Sequence, residues 1–172
     1  MKLKKIFDTC GFHCIKINNL GVSFGEQVVL KDVNLHIHCG SLNAIIGKNG
    51  AGKSTLVRAI LKDVPTEGTI EYRDTKNGKM KDLKIGYVPQ SINIEKNTPL
   101  SVYDLIASYQ YHYPVFLPKS KRIYEEIKTH LGTFKAADLI DKQVCNLSGG
   151  QLQRVLLSMA VADKPKLLLL DE

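Results

Sequence analysis

The chain has 172 residues, of which 44% are hydrophobic and 24% charged, the composition of a single soluble globular domain that can bury a core. Its longest apolar runs, such as Leu167 to Leu170, are too short to cross a bilayer, and its basic start lacks the sustained apolar stretch of a signal peptide, so we expect a cytosolic protein. The net charge of +7 is compatible with a face that binds nucleic acid or a membrane surface, but the lysines are scattered, with small clusters at 2–5 and 119–122, which favours a solvated basic surface.

The first predicted elements are short antiparallel β-strands. After an N-terminal extension over residues 1–14, the segments Ile15 to Phe24 and Val28 to Ile37 alternate apolar and polar side chains. Gly25-Glu26 interrupts the alternation and predicts the turn between them.

Further elements follow in quick succession. The apolar run SLNAIIG, residues 41–47, predicts a short strand that leads into glycines. From Lys53 the apolar residues recur at helical spacing, and Pro65 is expected to end that helix. Two strand segments are then expected around the turn dipeptide Asn77-Gly78.

Residues 91–146 differ in character and predict an inserted helical subdomain. Ser101 and Asp104 have the spacing of a capping box at a helix start. A last helix is expected from Gly149 to Ala162, followed by a buried strand that ends in the acid pair at 171–172.

The strongest signal for function is the segment GKNGAGKST. It fits G-x-x-x-x-G-K-[ST] between a predicted strand and a predicted helix, the context that a phosphate-binding loop requires. Glycines let backbone N–H groups point at phosphate oxygens, and the helix start adds the positive end of its dipole. Lys53 would supply a charge to the β- and γ-phosphates, and Ser54 a hydroxyl to Mg²⁺. The predicted nucleotide-binding residues are Gly47, Lys48, Asn49, Gly50, Ala51, Gly52, Lys53, Ser54 and Thr55.

A second anion-binding signal is the segment LSGGQ, Leu147 to Gln151. Glycines at a helix start expose N–H groups, and a serine hydroxyl lies beside them. The residues that would contact an anion are Ser148, Gly149, Gly150 and Gln151.

Together these motifs resemble the nucleotide-binding domain of an ATP-binding cassette (ABC) protein, from about Ile15 to the last residue. GKNGAGKST is similar to the family's phosphate loop, LSGGQLQRV to its signature and LLLLDE to its acidic strand, and Gln90 in IGYVPQ matches its Q-loop glutamine. The resemblance implies an α/β fold, a P-loop NTPase of the ABC ATPase type. Residues 1–172 would form one ABC ATPase domain, incomplete at its C-terminus, with an antiparallel β subdomain and the helical subdomain at 91–146.

The resemblance also implies roles for individual residues with ATP and Mg²⁺. Phe24 would stack on adenine, or else would be an ordinary core aromatic. The catalytic residues would be Glu172, which polarises the attacking water, together with Gln90 and Lys53. Mg²⁺ would be held by Ser54, Gln90 and Asp171. In the family two cassettes sandwich two ATP molecules, so that the 148–151 segment of one subunit would cap the γ-phosphate held by the other.

In this family a further strand follows the acidic strand and lies between it and the phosphate-loop strand. Without it the sheet would have a gap that exposes apolar faces on both sides. We therefore expect the chain to be a fragment of a longer protein, and nearly inactive as an ATPase when expressed alone.

Spacing and local sequence narrow the kind of cassette protein. About ninety residues separate Ser54 from Leu147, which favours transporters over chromosome-maintenance ATPases with long insertions. The segment YVPQSINIEKNTPLSVYDLI resembles importers of metal ions such as zinc or manganese. The implied partners are a second ABC subunit, as a homodimer, and membrane permease subunits that dock on 91–113. An extracytoplasmic substrate-binding protein would be reached indirectly, and no nucleic acid is expected. An ATPase subunit with these partners lies on the cytoplasmic face of the membrane. The alternative for 91–113 is that its aromatics, Tyr103, Tyr109, Tyr111 and Tyr113, pack the small subdomain.

The substrate and the direction of transport stay open at this point, as do two other functions. One is a soluble, non-transport cassette that acts on ribosomes or nucleic acid, and the other is an inactive nucleotide-binding fragment.

Two further clusters could build a regulatory zinc site from thiolates and imidazoles. They are Cys10, His13 and Cys14, and His36, His38 and Cys39. The alternative is that they are reduced thiols and surface histidines with no ligand role.

Overall fold

The computed structural model of the protein describes residues 14–38, 40–73, 83–92, 95 and 98–171. The chain forms two compact units, Met1–Ile85 and Gly86–Glu172.

The first unit contains a three-stranded antiparallel sheet in the order β2-β1-β3. Its strands are β1 (Cys14–Phe24), β2 (Gln27–Ile37) and β3 (Glu67–Arg73). The register pairs Ile15 with Ile37 and Ile17 with Ile70, and Ile15 and Ile17 are almost fully buried. The turn between β1 and β2 uses Gly25 at a φ of 60°, a left-handed conformation that favours glycine. The two predicted antiparallel strands and their turn are confirmed.

Helix α1 (Lys53–Ile60) buries one face, formed by Leu56, Val57, Ala59 and Ile60. The prediction that Pro65 ends this helix is wrong, because a Schellman motif closes it earlier. Lys62 takes a left-handed φ of 63°, and the N–H of Asp63 donates to the carbonyl of Arg58 at 2.9 Å. This lets the chain leave the helix five residues before the proline.

The predicted strand at 41–47 is not a strand, since residues 41–48 have no regular secondary structure. Leu42 and Ile46 are 99% and 93% exposed. A strand is stable when neighbouring strands satisfy its backbone groups and cover its apolar face. Among the described residues, neither sheet contains a strand paired with this segment, so its apolar side chains remain on the surface.

The second unit is mostly helical, with α2 (Val102–Tyr111), α3 (Lys121–Thr133), α4 (Gly149–Ala162) and 3₁₀ turns at Ala137–Leu139 and Val144–Asn146. Its core is a cluster of buried side chains: Val102, Tyr103, Ile106, Ala107, Ile127, Leu131, Ala136, Leu139, Ile140, Val144 and Val155. The predicted capping box is confirmed, because Ser101 accepts from the N–H of Asp104 at 3.1 Å and the Asp104 carboxylate accepts from the N–H of Ser101 at 3.2 Å. The predicted last helix is also confirmed at both ends.

Strands β4 (Ile85–Val88) and β5 (Leu167–Leu170) form a separate two-stranded sheet. The prediction of a buried terminal strand is wrong, because Leu168 and Leu170 are 37% and 58% exposed. A two-stranded sheet has little surface with which to bury both faces of a strand. The predicted turn at Asn77-Gly78 lies outside the described residues, and the strands on either side of it belong to different sheets.

Candidate functional site

The glycine-rich loop before α1 takes the shape of an anion cradle. Gly50 and Gly52 adopt φ values of 81° and 86°, where side chains other than hydrogen are strained. The N–H of Ala51 donates to the carbonyl of Lys48 at 3.1 Å and closes a tight turn between them. Residues 48–51 are exposed, and a Cβ added at Gly50 would meet nothing within 4 Å. The loop therefore leaves open space beside its backbone.

The side chain of Lys53 folds back over this loop. Its ammonium donates to the carbonyls of Gly47 at 2.9 Å and of Lys48 at 3.1 Å. An ammonium has three N–H donors. Two of them hold the group at the loop, and the third can donate to another acceptor. Residues 47–55 carry two positive charges, on Lys48 and Lys53, and no negative charge, which suits a phosphate-binding site.

The N-terminus of α1 adds to that positive potential. Its N-cap is Gly52, which provides no side-chain hydrogen bond, and its first turn carries no acidic residue. The first-turn N–H groups and the helix dipole are consequently not offset by a local carboxylate. A helix start of this kind favours an anionic ligand.

Gly52 also fixes the loop to the sheet. A Cβ at this position would stand 2.7 Å from Cδ2 of Leu30 and 3.4 Å from the carbonyl oxygen of Val29, both on β2. Sequence reasoning missed Leu30 and Val29 as the support of the loop. A glycine at position 52 indicates that another group packs closely against the backbone there. Which residues do so depends on the tertiary packing, which the motif does not encode.

Phe24 lies at the end of β1 in the same unit as the loop. It is 46% exposed, so the alternative of an ordinary core aromatic is wrong. Along β1 it comes two residues after Val22, which pairs with Leu30, the residue beneath Gly52. Two residues of strand span about 7 Å. The half-exposed ring is thus near the part of β2 that supports the loop.

The signature segment is the capped start of α4. The hydroxyl of Ser148 accepts from the N–H of Gln151 at 3.3 Å, and the side-chain oxygen of Gln151 accepts from the N–H of Ser148 at 3.0 Å. Gly149 and Gly150 are exposed, and a Cβ on either would meet nothing within 4 Å. The capping box orders the helix start while the glycines keep its backbone accessible to an anion.

Gln90 and Asp171 follow the ends of β4 and β5 at one edge of their sheet. The backbone N–H of Asp171 donates to the carbonyl of Val88 at 3.0 Å, and Gln90 comes two residues after Val88. Gln90 is exposed and Asp171 partly exposed. The structure thereby brings together two residues that the sequence predicts to act on one metal ion. Glu172, the predicted catalytic acid, lies outside the described residues.

Close packing joins this sheet to the signature helix. A Cβ at Gly86 of β4 would lie 2.3 Å from the carbonyl oxygen of Ala160 on α4. The candidate residues therefore divide into two groups. The first unit holds Phe24 and residues 47–55, and the second holds Gln90, residues 148–151 and Asp171.

His36 lies in β2, and His38 follows the last residue of that strand. The ring centroids of His36 and His38 are 4.1 Å apart. Cys10, His13 and Cys39 lie outside the described residues, and Cys14 is described only as a backbone position in β1. In the part of the chain that is described, no group of three histidine, cysteine or acidic side chains could hold a metal ion. The zinc site stays a prediction.

No helix within the described ranges is long and apolar enough to cross a membrane.

Comparison with known proteins gives a consistent result. The sequence pattern of the ABC transporter family matches residues 30–172. The zinc import ATP-binding protein ZnuC of Haemophilus influenzae is 38% identical over 160 residues, and that of Photorhabdus laumondii is 39% identical over 159 residues. Each match covers 92% of this chain, but only 53% and 55% of the two relatives, so the chain spans about half the length of the curated relatives it matches.

A solved structure gives the same fold. A protein described as a metal-chelate type ABC transporter, in an inward-facing conformation, superposes with a TM-score of 0.72 at 28% identity. The match covers 93% of this chain and 60% of that one. With the phosphate loop, the signature helix and the Gln90–Asp171 edge described above, these matches show that the chain belongs to the ABC transporter family.

Proposed function

We propose that the protein is the ATP-binding and ATP-hydrolysing subunit of an ABC transporter. The observation that carries the proposal is the Lys53 ammonium, held 2.9 Å from the Gly47 carbonyl over a loop that opens onto an uncapped helix start. This arrangement concentrates positive charge and backbone N–H groups on one exposed loop, which suits the polyphosphate of a nucleotide.

Binding would use the first unit. The N–H groups of residues 47–55 would donate to phosphate oxygens, and Lys53 would pair with the β- and γ-phosphates. The half-exposed ring of Phe24 would stack on the adenine, a contact that phenylalanine makes as well as tyrosine through its ring face.

The donor set fits Mg²⁺. The hydroxyl of Ser54, the carboxylate of Asp171 and the amide oxygen of Gln90 are hard oxygen ligands, which Mg²⁺ prefers to nitrogen or sulfur. Bound beside the phosphates, the ion would neutralise part of their charge. Gln90 would orient the attacking water and Glu172 would polarise it, while Lys53 stabilises the negative charge that develops on the γ-phosphate.

The signature segment supports a dimeric enzyme. Its exposed glycines keep the backbone at the start of α4 accessible to an anion, and the resemblance to the ABC family pairs this segment with the ATP held by a second subunit. We therefore propose that residues 148–151 cap the γ-phosphate bound by a second copy of the chain.

The proposed cargo is a divalent metal ion, with zinc first. The support is that the two relatives described above are named as zinc import proteins. Permease subunits would dock on residues 91–113, which would place the protein on the inner face of the membrane. Within that segment Tyr103 is buried in the helical core and Tyr111 and Tyr113 are partly buried against it, whereas Tyr109 is 68% exposed. We propose that Tyr109 contacts the permease.

Nucleotide titration tests the enzymatic part of the proposal. The protein should bind ATP in a Mg²⁺-dependent manner, and Lys53→Ala should weaken binding by about tenfold or more, because a charge-assisted contact contributes roughly 1.5–3 kcal/mol. Lys31→Ala, at an exposed lysine on β2, is the matched control and should bind as the unaltered protein does. An affinity that needs no Mg²⁺, or that Lys53→Ala leaves unchanged, would refute the assignment.

Metal uptake by cells tests the cargo. Cells that lack their own zinc-import ATPase should regain growth under zinc limitation with the protein expressed at full length and not with its Lys53→Ala variant. Restoration of manganese uptake alone would replace zinc by manganese in the proposal.

A further inference from the structure

An exposed apolar turn connects α2 to α3 in the second unit. Three consecutive side chains, Val115, Phe116 and Leu117, are 55%, 84% and 42% exposed. Single exposed apolar residues are common on protein surfaces, but three in a row that include a phenylalanine form a patch.

The fold holds this turn in place. The N–H of Leu117 donates to the carbonyl of Pro114 at 3.2 Å, and the hydroxyl of Tyr113 donates to the carbonyl of Pro118 at 2.7 Å. Just beyond, the N–H of Ser120 donates to the hydroxyl of Tyr103, whose side chain is 1% exposed in the helical core. The apolar side chains are therefore presented by an ordered turn anchored at both ends.

Basic residues follow the turn directly. Lys119, Lys121 and Arg122 come within five residues of Leu117, and no acidic residue occurs between positions 112 and 122. Lys119 pairs with Asp141 at 2.6 Å and Arg122 with Glu126 at 3.1 Å, and both basic side chains stay substantially exposed. Lys121 is also exposed. The apolar tip thus borders three exposed basic side chains, of which Lys119 and Arg122 also pair with carboxylates.

We propose that this turn inserts Phe116 and its two neighbours into the interfacial region of a bilayer that contains anionic lipid. Apolar side chains beside lysines and arginines are the pattern of interfacial membrane binding, where the apolar groups enter the acyl boundary and the cations meet the headgroups. The net charge of +7 adds long-range attraction to such a surface. The lipid contact goes beyond the proposed ATPase, and its test uses no nucleotide, so the two can fail separately.

The chain contains no tryptophan, which gives a clean optical test. Phe116→Trp places a single tryptophan at the tip of the turn, which can be excited selectively over the seven tyrosines. With protein-free vesicles of phosphatidylglycerol and phosphatidylcholine, its emission should shift to shorter wavelength, and brominated lipid should quench it. Val28→Trp, at a 60% exposed site on β2, is the matched control and should show neither change.

Vesicle sedimentation tests the two components separately. Phe116→Ser should weaken partitioning by about tenfold, the effect expected for the loss of one buried aromatic side chain. Lys121→Glu should weaken it by about as much, and vesicles of phosphatidylcholine alone should bind poorly. Lys31→Glu changes the net charge by the same amount away from the turn and should have little effect.

The proposal is overturned if Phe116→Trp shows no shift with anionic vesicles, or if Phe116→Ser partitions as well as the unaltered protein. It is also overturned if the Phe116→Trp emission shifts with native membranes but not with protein-free vesicles, because the turn then docks on a protein. Circular dichroism of each variant confirms that these surface substitutions leave the fold intact.

Discussion

Gly52 packs directly against Leu30: a methyl group on Gly52 would stand 2.7 Å from Cδ2 of that leucine. The contact joins the start of α1 to β2 at the point where the phosphate loop ends. Any side chain at Gly52 would both push on Leu30 and strain a φ of 86°.

We therefore predict that Gly52→Ala destabilises the protein by about 1–3 kcal/mol and weakens nucleotide binding. Gly50→Ala is the matched control, because Gly50 has a similar φ of 81° but open space around it. It should lose about 1 kcal/mol from backbone strain alone. Chemical denaturation measures both, and equal losses in the two variants would contradict the role of the Leu30 contact.

Two substitutions at Ser148 distinguish its role in capping α4 from its proposed role in catalysis. Ser148→Ala should destabilise α4 by about 1 kcal/mol, since the N–H of Gln151 loses its side-chain acceptor. Ser148→Asp keeps a good cap but adds a negative charge where the γ-phosphate of a partner subunit is proposed to lie. Its thermal stability should stay close to that of the unaltered protein, while ATP turnover measured on the protein expressed at full length falls by at least about tenfold. Turnover that survives the aspartate would argue against the signature as a phosphate cap.

Tyr103 links the helical core to the start of α3. Its buried hydroxyl accepts from the N–H of Ser120 at 3.0 Å, and Tyr103→Phe leaves that donor without this acceptor. We expect a loss of about 1–3 kcal/mol in the free energy of unfolding. Tyr109→Phe, at a 68% exposed tyrosine of the same helix, should change the stability little. Similar losses in both variants would mean that the Ser120 bond contributes nothing.

Asp141 makes the second unit sensitive to acid. Its carboxylate accepts from the Lys119 ammonium and from the Tyr124 hydroxyl, both at 2.6 Å. The hydrogen bond from Lys119, followed by that from Tyr124, holds the pKa of Asp141 below the usual aspartate value of 3.8. Because the folded-state pKa is lowered, the stabilisation is fully present above the unfolded-state pKa and is lost as the pH falls through the folded-state pKa.

We predict that Asp141→Asn flattens the dependence of stability on pH in the acid range below about pH 4. Denaturation at several pH values measures the slope. Asp138→Asn, at an exposed aspartate nearby, is the control. If the two variants have the same slope, the Lys119–Asp141–Tyr124 contacts do not contribute to the acid response.

Local patterns in the sequence predict the parts of the fold that local forces determine. The capping box at Ser101 places the start of α2 correctly, because capping is settled by residues three positions apart. The predicted start of α4 at Gly149 is also correct, although the sequence prediction does not include the capping box at Ser148. The alternation of apolar and polar residues predicts β1 and β2 correctly, because it too depends on residues that are close in the sequence. The end of α1 does not, since the left-handed Lys62 that closes it has no strong sequence signature.

Whether an apolar run is buried depends on residues that are distant in the sequence, so the predicted burial of two such runs is wrong. SLNAIIG and LLLL both have the composition of buried strands, yet Leu42 and Leu170 are exposed. At the site, the phosphate loop and the signature follow from their motifs, and the shared metal role of Gln90 and Asp171 follows from the resemblance to the ABC family. The support of Gly52 by Leu30 depends on how a helix start packs on a sheet, which no short motif encodes.

The exposed segment at 41–47 has a practical consequence for anyone who handles the protein. It is seven residues long, uncharged and free of proline, with two adjacent isoleucines, a composition that stacks readily into intermolecular β-structure. Copies of the chain should self-associate through it as the concentration rises. The substitution Leu42→Lys should raise the solubility limit and leave the nucleotide-binding loop unchanged.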